Sequence, residues 1–125
     1  MRIYVIDEKP IVTKMLSNFM RDLGHEVTTF DSTSPILDNI VKEEENGIPD
    51  IILVNLGMSE EQNVQMVRDI NSRFPDAYII AMSSVLPFNE ARTHGVQGYL
   101  DKPISLRKLE LFLSRLEERR HDSCP

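Results

Sequence analysis

Four short apolar runs in this chain each end on a polar group, and that repetition constrains the fold more than any other feature. Ile3–Ile6 runs into Asp7-Glu8, Ile51–Val54 into Asn55, Tyr78–Met82 into Ser83-Ser84, and Gly98–Leu100 into Asp101-Lys102-Pro103. Read as parallel strands, these runs deliver their polar residues to one edge of one sheet, where open α/β folds bind ligands. The run Ile51-Ile52-Leu53-Val54 is apolar throughout. A central parallel strand, buried on both faces, requires that pattern.

Helical patterns separate the runs. Ile11, Met15, Phe19 and Leu23 recur at helical spacing, with Pro10 suited to the first turn and Gly24 as a stop. Val27–Phe30 reads as a second strand. Ile36, Leu37, Ile40 and Val41 mark a second helix that decays into Glu43-Glu44-Glu45-Asn46-Gly47, a solvated helix end and loop. Met66, Val67, Ile70 and Phe74 give the inward face of a third helix, closed by Pro75-Asp76. A short helical stretch near Asn89–His94 leads to Gly95, and the last helix carries Leu106, Leu109, Leu113 and Leu116 on one stripe. The 125 residues therefore form one domain, 1–120, followed by a polar tail, 121–125. Five βα units with right-handed crossovers predict a doubly wound α/β fold with helices on both faces.

Charge and cysteine usage exclude several function classes. The formal net charge is −6 and no basic block precedes Arg119-Arg120, which argues against direct nucleic-acid binding. The lone cysteine, Cys124, rules out an internal disulfide framework and fits a reducing compartment. No apolar run is long enough to span a bilayer. A strand pattern starts at once, without a signal peptide, and the expected location is the cytoplasm. No Gly-rich phosphate loop is present, His25, His94 and His121 lack ligand-type spacing for zinc, and no Ser-His-Asp order suggests a nucleophilic triad.

Asp7-Glu8, Asn55, Ser83 and Lys102-Pro103, in that order at strand ends, resemble the receiver domain of bacterial response regulators. The likeness runs from Ile3 to about Leu116. It implies a flavodoxin-like (βα)5 parallel sheet of strand order 2-1-3-4-5, with the ligand crevice between the first and third strands. It also implies roles. Asp7, Glu8, residue 55 and Gly57 match the Mg²⁺ positions, Ser83 the phosphoryl-binding hydroxyl, and Lys102 the lysine that pairs with the phosphoryl oxygens. Tyr99 matches the aromatic switch, and the bond before Pro103 is expected to be cis. Read alone, each residue has a plainer account: Asp7 as a helix cap, Asn55 and Ser83 as turn residues, Tyr99 as a half-buried strand aromatic.

The likeness breaks at the residue that matters most. The family's phosphoacceptor is an aspartate, and here it is Asn55. An amide oxygen carries no full negative charge and forms no stable acyl phosphate. Its loss of charge weakens the Mg²⁺ site, although three crowded carboxylates no longer repel one another. Lys102, deprived of an acceptor carboxylate, is expected to pair with Asp7 or Glu8. Ser59 stands where the family has proline, which predicts a looser Gly57-Met58-Ser59 loop. Ser83 to Gly95 is about one helical turn short and interrupted by Pro87, predicting a short or irregular fourth helix.

The leading expectation is a pseudo-receiver: a signalling domain that is not an enzyme, takes no phosphate and acts by binding proteins, such as a histidine kinase or a downstream regulator. A homodimer would use the face of the fourth helix, fifth strand and fifth helix. The alternative is a Mg²⁺-dependent phosphoacceptor in a phosphorelay, with Asn55 an engineered replacement of Asp, which would catalyse its own phosphorylation.

Overall fold

In the computed structural model the described residues are 1–31, 47–57, 59–83 and 95–122, with the side chains of 60 and 120–122 outside the description. The strands are β1 (Arg2–Ile6), β2 (Glu26–Phe30), β3 (Ile51–Asn55), β4 (Tyr78–Ser83) and β5 (Gly98–Asp101). The helices are α1 (Pro10–Asp22), α2 (Glu60–Arg73) and α3 (Leu106–Asp122). All strand pairs are parallel, and the sheet order is β2-β1-β3-β4-β5. The expected fold class and strand order are those observed. The expected second helix, the fourth helix with Pro87, Met58 and Cys124 lie outside the described residues.

Burial follows the two-residue period of a strand. Tyr4, Ile6, Ile52, Val54, Ile79 and Ala81 point to the face covered by α2, where Val67, Ile70 and Phe74 meet them. Ile3, Val5, Ile51, Leu53, Ile80 and Met82 point to the opposite face, against Leu16 and Met20 of α1 and Leu109 and Leu113 of α3. Each fully buried aliphatic side chain contributes about 1.5–3 kcal/mol by leaving water, and β3 supplies four in succession. Gly98 permits the close approach of α3. A Cβ there would stand 3.1 Å from both the Phe112 and the Tyr78 rings, so a larger residue would force these neighbours to give way by a few tenths of an ångström.

The stripe that announces α1 in the sequence is not the one it buries. Ile11 is 82% exposed, and Met15 and Leu23 are also exposed. The buried face is Thr13, Leu16, Ser17 and Met20, with Val12 and Phe19 packed at its margins. Thr13 and Ser17 are small enough to let the helix backbone approach the sheet. Their hydroxyls donate to the carbonyls of Pro10 (3.0 Å) and Lys14 (3.1 Å), so burial leaves neither without a partner. Gly24, with φ of +97°, then turns the chain into β2.

His25 follows that turn and is buried. Its Nδ1 lies 3.2 Å from the Met1 amino group and 3.7 Å from Glu117 of α3. Burial holds the imidazole below its ordinary pKa of 6.5, the Met1 ammonium adds to that, and Glu117 opposes both. The unfolded chain therefore binds the proton more readily than the folded one. The resulting stabilisation is fully present above about pH 6.5 and is lost as the pH falls towards the lowered folded value. Urea midpoints measured from pH 7.5 to 5 should fall more steeply for the unmodified chain than for His25→Gln. Parallel curves would remove His25 as the cause.

Candidate functional site

The register sets the site. Ile6 pairs with Val54, so the residues that follow, Asp7 and Asn55, stand side by side at the carboxyl edge of the sheet. Asn55 pairs with Met82, and Ser83 pairs with Asp101, so Ser83 and Lys102 close the same edge. Asp7, Asn55, Ser83, Tyr99 and Lys102 thus meet at that edge. Glu8 and Gly57 flank it as exposed residues.

Asp7 is 3% exposed, and its carboxylate is unevenly used. Oδ1 accepts the Lys9 backbone N–H at 2.9 Å and the Asn55 side-chain amide at 3.4 Å. Oδ2 is buried with no hydrogen-bond partner. Asp7 does not cap α1, whose N-cap is Lys9 with no side-chain cap bond. It holds the turn that leads from β1 into the helix.

Asn55 lies between two charges. Its Nδ2 faces the Asp7 carboxylate, and its Oδ1 accepts a hydrogen bond from Lys102 Nζ. The expectation that Lys102 would pair with Asp7 or Glu8 is thereby corrected. The amide offers Lys102 an acceptor at the position where a carboxylate would stand, while presenting its N–H to Asp7. Lys102 precedes a cis bond to Pro103, as expected.

Ser83 is buried, and its carbonyl oxygen accepts from the Tyr99 hydroxyl at 2.8 Å and the Lys102 backbone N–H at 3.3 Å. The Tyr99 ring packs half-buried against the α2-side core. Burial raises the pKa of its phenol, a side-chain hydrogen bond from the Ser83 hydroxyl works the other way, and Asp101 adds to the rise, so the hydroxyl stays a donor at neutral pH.

Leu56 and Ser59, on either side of Met58, are held by residues that sequence reasoning missed. Ser59, expected to loosen this loop, is the N-cap of α2. Its Oγ accepts the Gln62 N–H, and the Gln62 side chain reaches back to the Ser59 N–H, a reciprocal capping box. The Ser-x-x-Gln spacing was legible as that signature. Asn63, also buried, donates from Nδ2 to the Leu56 carbonyl at 3.4 Å. Gly57 lies so near the site that a Cβ on it would come within 3.2 Å of Asn55 Nδ2. Ser59→Ala should lower stability by about 1 kcal/mol and Ser59→Asp by far less, measured as urea midpoints. Equal midpoints for Ser59→Ala and the parent would show that the cap contributes nothing.

The Mg²⁺ implied by the resemblance needs oxygen ligands in near-octahedral array. Asp7 Oδ2 is a suitable orphaned acceptor, and Glu8 is exposed beside it. Asn55 does not fit, because its oxygen is committed to Lys102 and its N–H points to the carboxylate. Among the described residues, no group of three His, Cys, Asp or Glu side chains is placed to hold a metal ion. Nor is any described helix long and apolar enough to cross a membrane.

Comparison with known proteins places this geometry. The chain is 27% identical over 120 residues to the "Probable C4-dicarboxylate response regulator DctR" of Halalkalibacterium halodurans, covering 94% of this chain and 51% of that protein. It is 25% identical over 126 residues to chemotaxis protein CheY-3 of Vibrio cholerae, covering 95% and 93% respectively. The chain spans about half the length of the first relative and 23% of a second, the DNA-binding transcriptional regulator NtrC of Azospirillum brasilense. Among solved structures, a response regulator from Thermotoga maritima superposes with a TM-score of 0.77 at 19% identity, covering 92% of this chain and 95% of that one. Vibrio cholerae CheY4 gives 0.75 at 20%, covering 92% and 97%. At those identities the structures speak for the fold alone. The family model for the response regulator receiver domain matches residues 3–114, and with the strand ends so arranged the chain belongs to that family.

Proposed function

We propose that this receiver domain works without phosphorylation, as a protein-binding regulatory domain and not as an enzyme. One observation carries the reading: a side-chain amide, Asn55, stands at the acceptor position and is bonded on both sides. Phosphoryl transfer to a receiver needs an anionic oxygen to attack phosphorus. The Asn55 oxygen has no full charge, and its lone pairs face the Lys102 ammonium. The lysine that would neutralise an incoming phosphoryl group is thus already engaged.

The readout end supports the same reading. A switch needs two states that a ligand binds unequally. Here the Tyr99 hydroxyl is anchored on the Ser83 carbonyl, and the Lys102 N–H shares that oxygen. The edge is tied together by the chain's own groups, and a partner protein would read that arrangement directly.

The proposed partners are proteins: a histidine kinase, a downstream regulator or a second copy of this chain. For the second copy, β5 and α3 frame a groove of about 150 Å³ between Tyr99 and Phe112. Asp101 lies on one side, with Lys108, Leu111 and Arg115 on the other. Opposite charges around an exposed leucine suit a two-fold contact, in which each patch meets its own copy.

Intact mass after incubation with Mg²⁺ and acetyl phosphate tests the reading. The unmodified chain should gain no phosphoryl group, while Asn55→Asp should gain one. Size-exclusion profiles of the unmodified chain should be the same with and without the donor. A phosphoryl adduct on the unmodified chain would sink the proposal.

A further inference from the structure

The three groups at the carboxyl edge form a continuous chain of charge and dipole: the Lys102 ammonium, the Asn55 amide and the Asp7 carboxylate. The orientation of the amide is not arbitrary. Turned over, it would set its oxygen against the carboxylate and its NH₂ against the ammonium, making both contacts repulsive. Residue 55 therefore presents a hydrogen-bond donor to the pocket in which a cation would need an oxygen. For the amide oxygen to ligate a cation, both contacts must break, leaving the half-buried Lys102 ammonium beside a like charge. The remaining oxygens, from buried Asp7, exposed Glu8 and the Gly57 backbone, would then have to hold the ion against that repulsion without the anionic oxygen that a carboxylate at position 55 supplies.

We infer that the Lys102–Asn55–Asp7 bridge stands in place of a divalent cation and closes this site to Mg²⁺. The ammonium supplies the positive charge, and the amide carries part of it to the carboxylate. Strands β1, β3 and β5 are thereby joined at their polar ends by residues of the chain itself. Since the Lys102 N–H and the Tyr99 hydroxyl converge on the Ser83 carbonyl, the bridge and the aromatic position share one anchor. The state of this edge is then independent of metal supply. The inference deepens the phosphorylation-independent reading and rests on it, yet it fails separately. Metal uptake without a phosphoryl adduct would overturn the bridge and leave that reading standing.

The test is thermal unfolding of the unmodified chain and of Asn55→Asp in 10 mM Mg²⁺ against NaCl of equal ionic strength. A ligand that binds only the folded chain raises Tm. The expected result is a shift below about 1 °C for the unmodified chain and above about 3 °C for Asn55→Asp. A comparable Mg²⁺-specific rise in the unmodified chain would overturn the inference. No rise in either protein would also overturn it, because exclusion would then not depend on the amide. A second readout needs no variant. With Mn²⁺ as a paramagnetic probe, the Asn55 side-chain NH₂ signals of the unmodified chain should stay sharp, and selective broadening at sub-millimolar Mn²⁺ would count against the bridge.

Discussion

Burial of β3 on both faces fixes its register against β1 and β4, and that register decides where every polar strand end stands. Ile51, Ile52, Leu53 and Val54 are each 1% exposed or less. A slip of one residue would exchange the side chains facing α2 with those facing α1 and α3, undoing both cores at once. With Ile6 held opposite Val54, Asp7 and Asn55 have no choice but to adjoin. The polar edge is thus specified by apolar packing several residues away.

Given that placement, electrostatics governs the edge. A buried carboxylate, an ammonium and an amide within reach of one another settle into the arrangement in which each donor meets an acceptor. The amide is the only one of the three that can do both, so it takes the middle. One buried carboxylate oxygen remains without a partner, Asp7 Oδ2, and such a group costs stability. Sites that retain a cost of this kind are typically functional, which agrees with an edge kept for recognition.

Much of this was legible in the sequence. The strand ends, the order of polar residues and the cis bond before Pro103 follow from local patterns or from the family resemblance. The buried face of α1 did not. Thr13 and Ser17 read as polar in an apolar-periodicity count, yet they are buried because their hydroxyls bond within the helix. Ile11 and Met15 read as core and are exposed. Amphipathic spacing identifies a helix but does not say which neighbour its faces will meet. Ser59 is the converse case: its Ser-x-x-Gln capping box is written in the sequence, and the cap holds Ser59 without the family's proline.

The sequence by itself determined five parallel strands, helices on both faces, and an amide where a carboxylate would be needed for phosphoryl transfer, while the strand order came from the family resemblance. These are matters of short-range periodicity and of residue identity. Only the tertiary structure decided which partner Lys102 takes, which way the Asn55 amide points, and what the Tyr99 hydroxyl holds. Lys102 and Asn55 are 47 residues apart, and Asn55 and Asp7 are 48. No local rule links such positions. Their contacts exist because the parallel register brings three strand ends together, and there the pairing of donors with acceptors in a partly desolvated edge chooses among them.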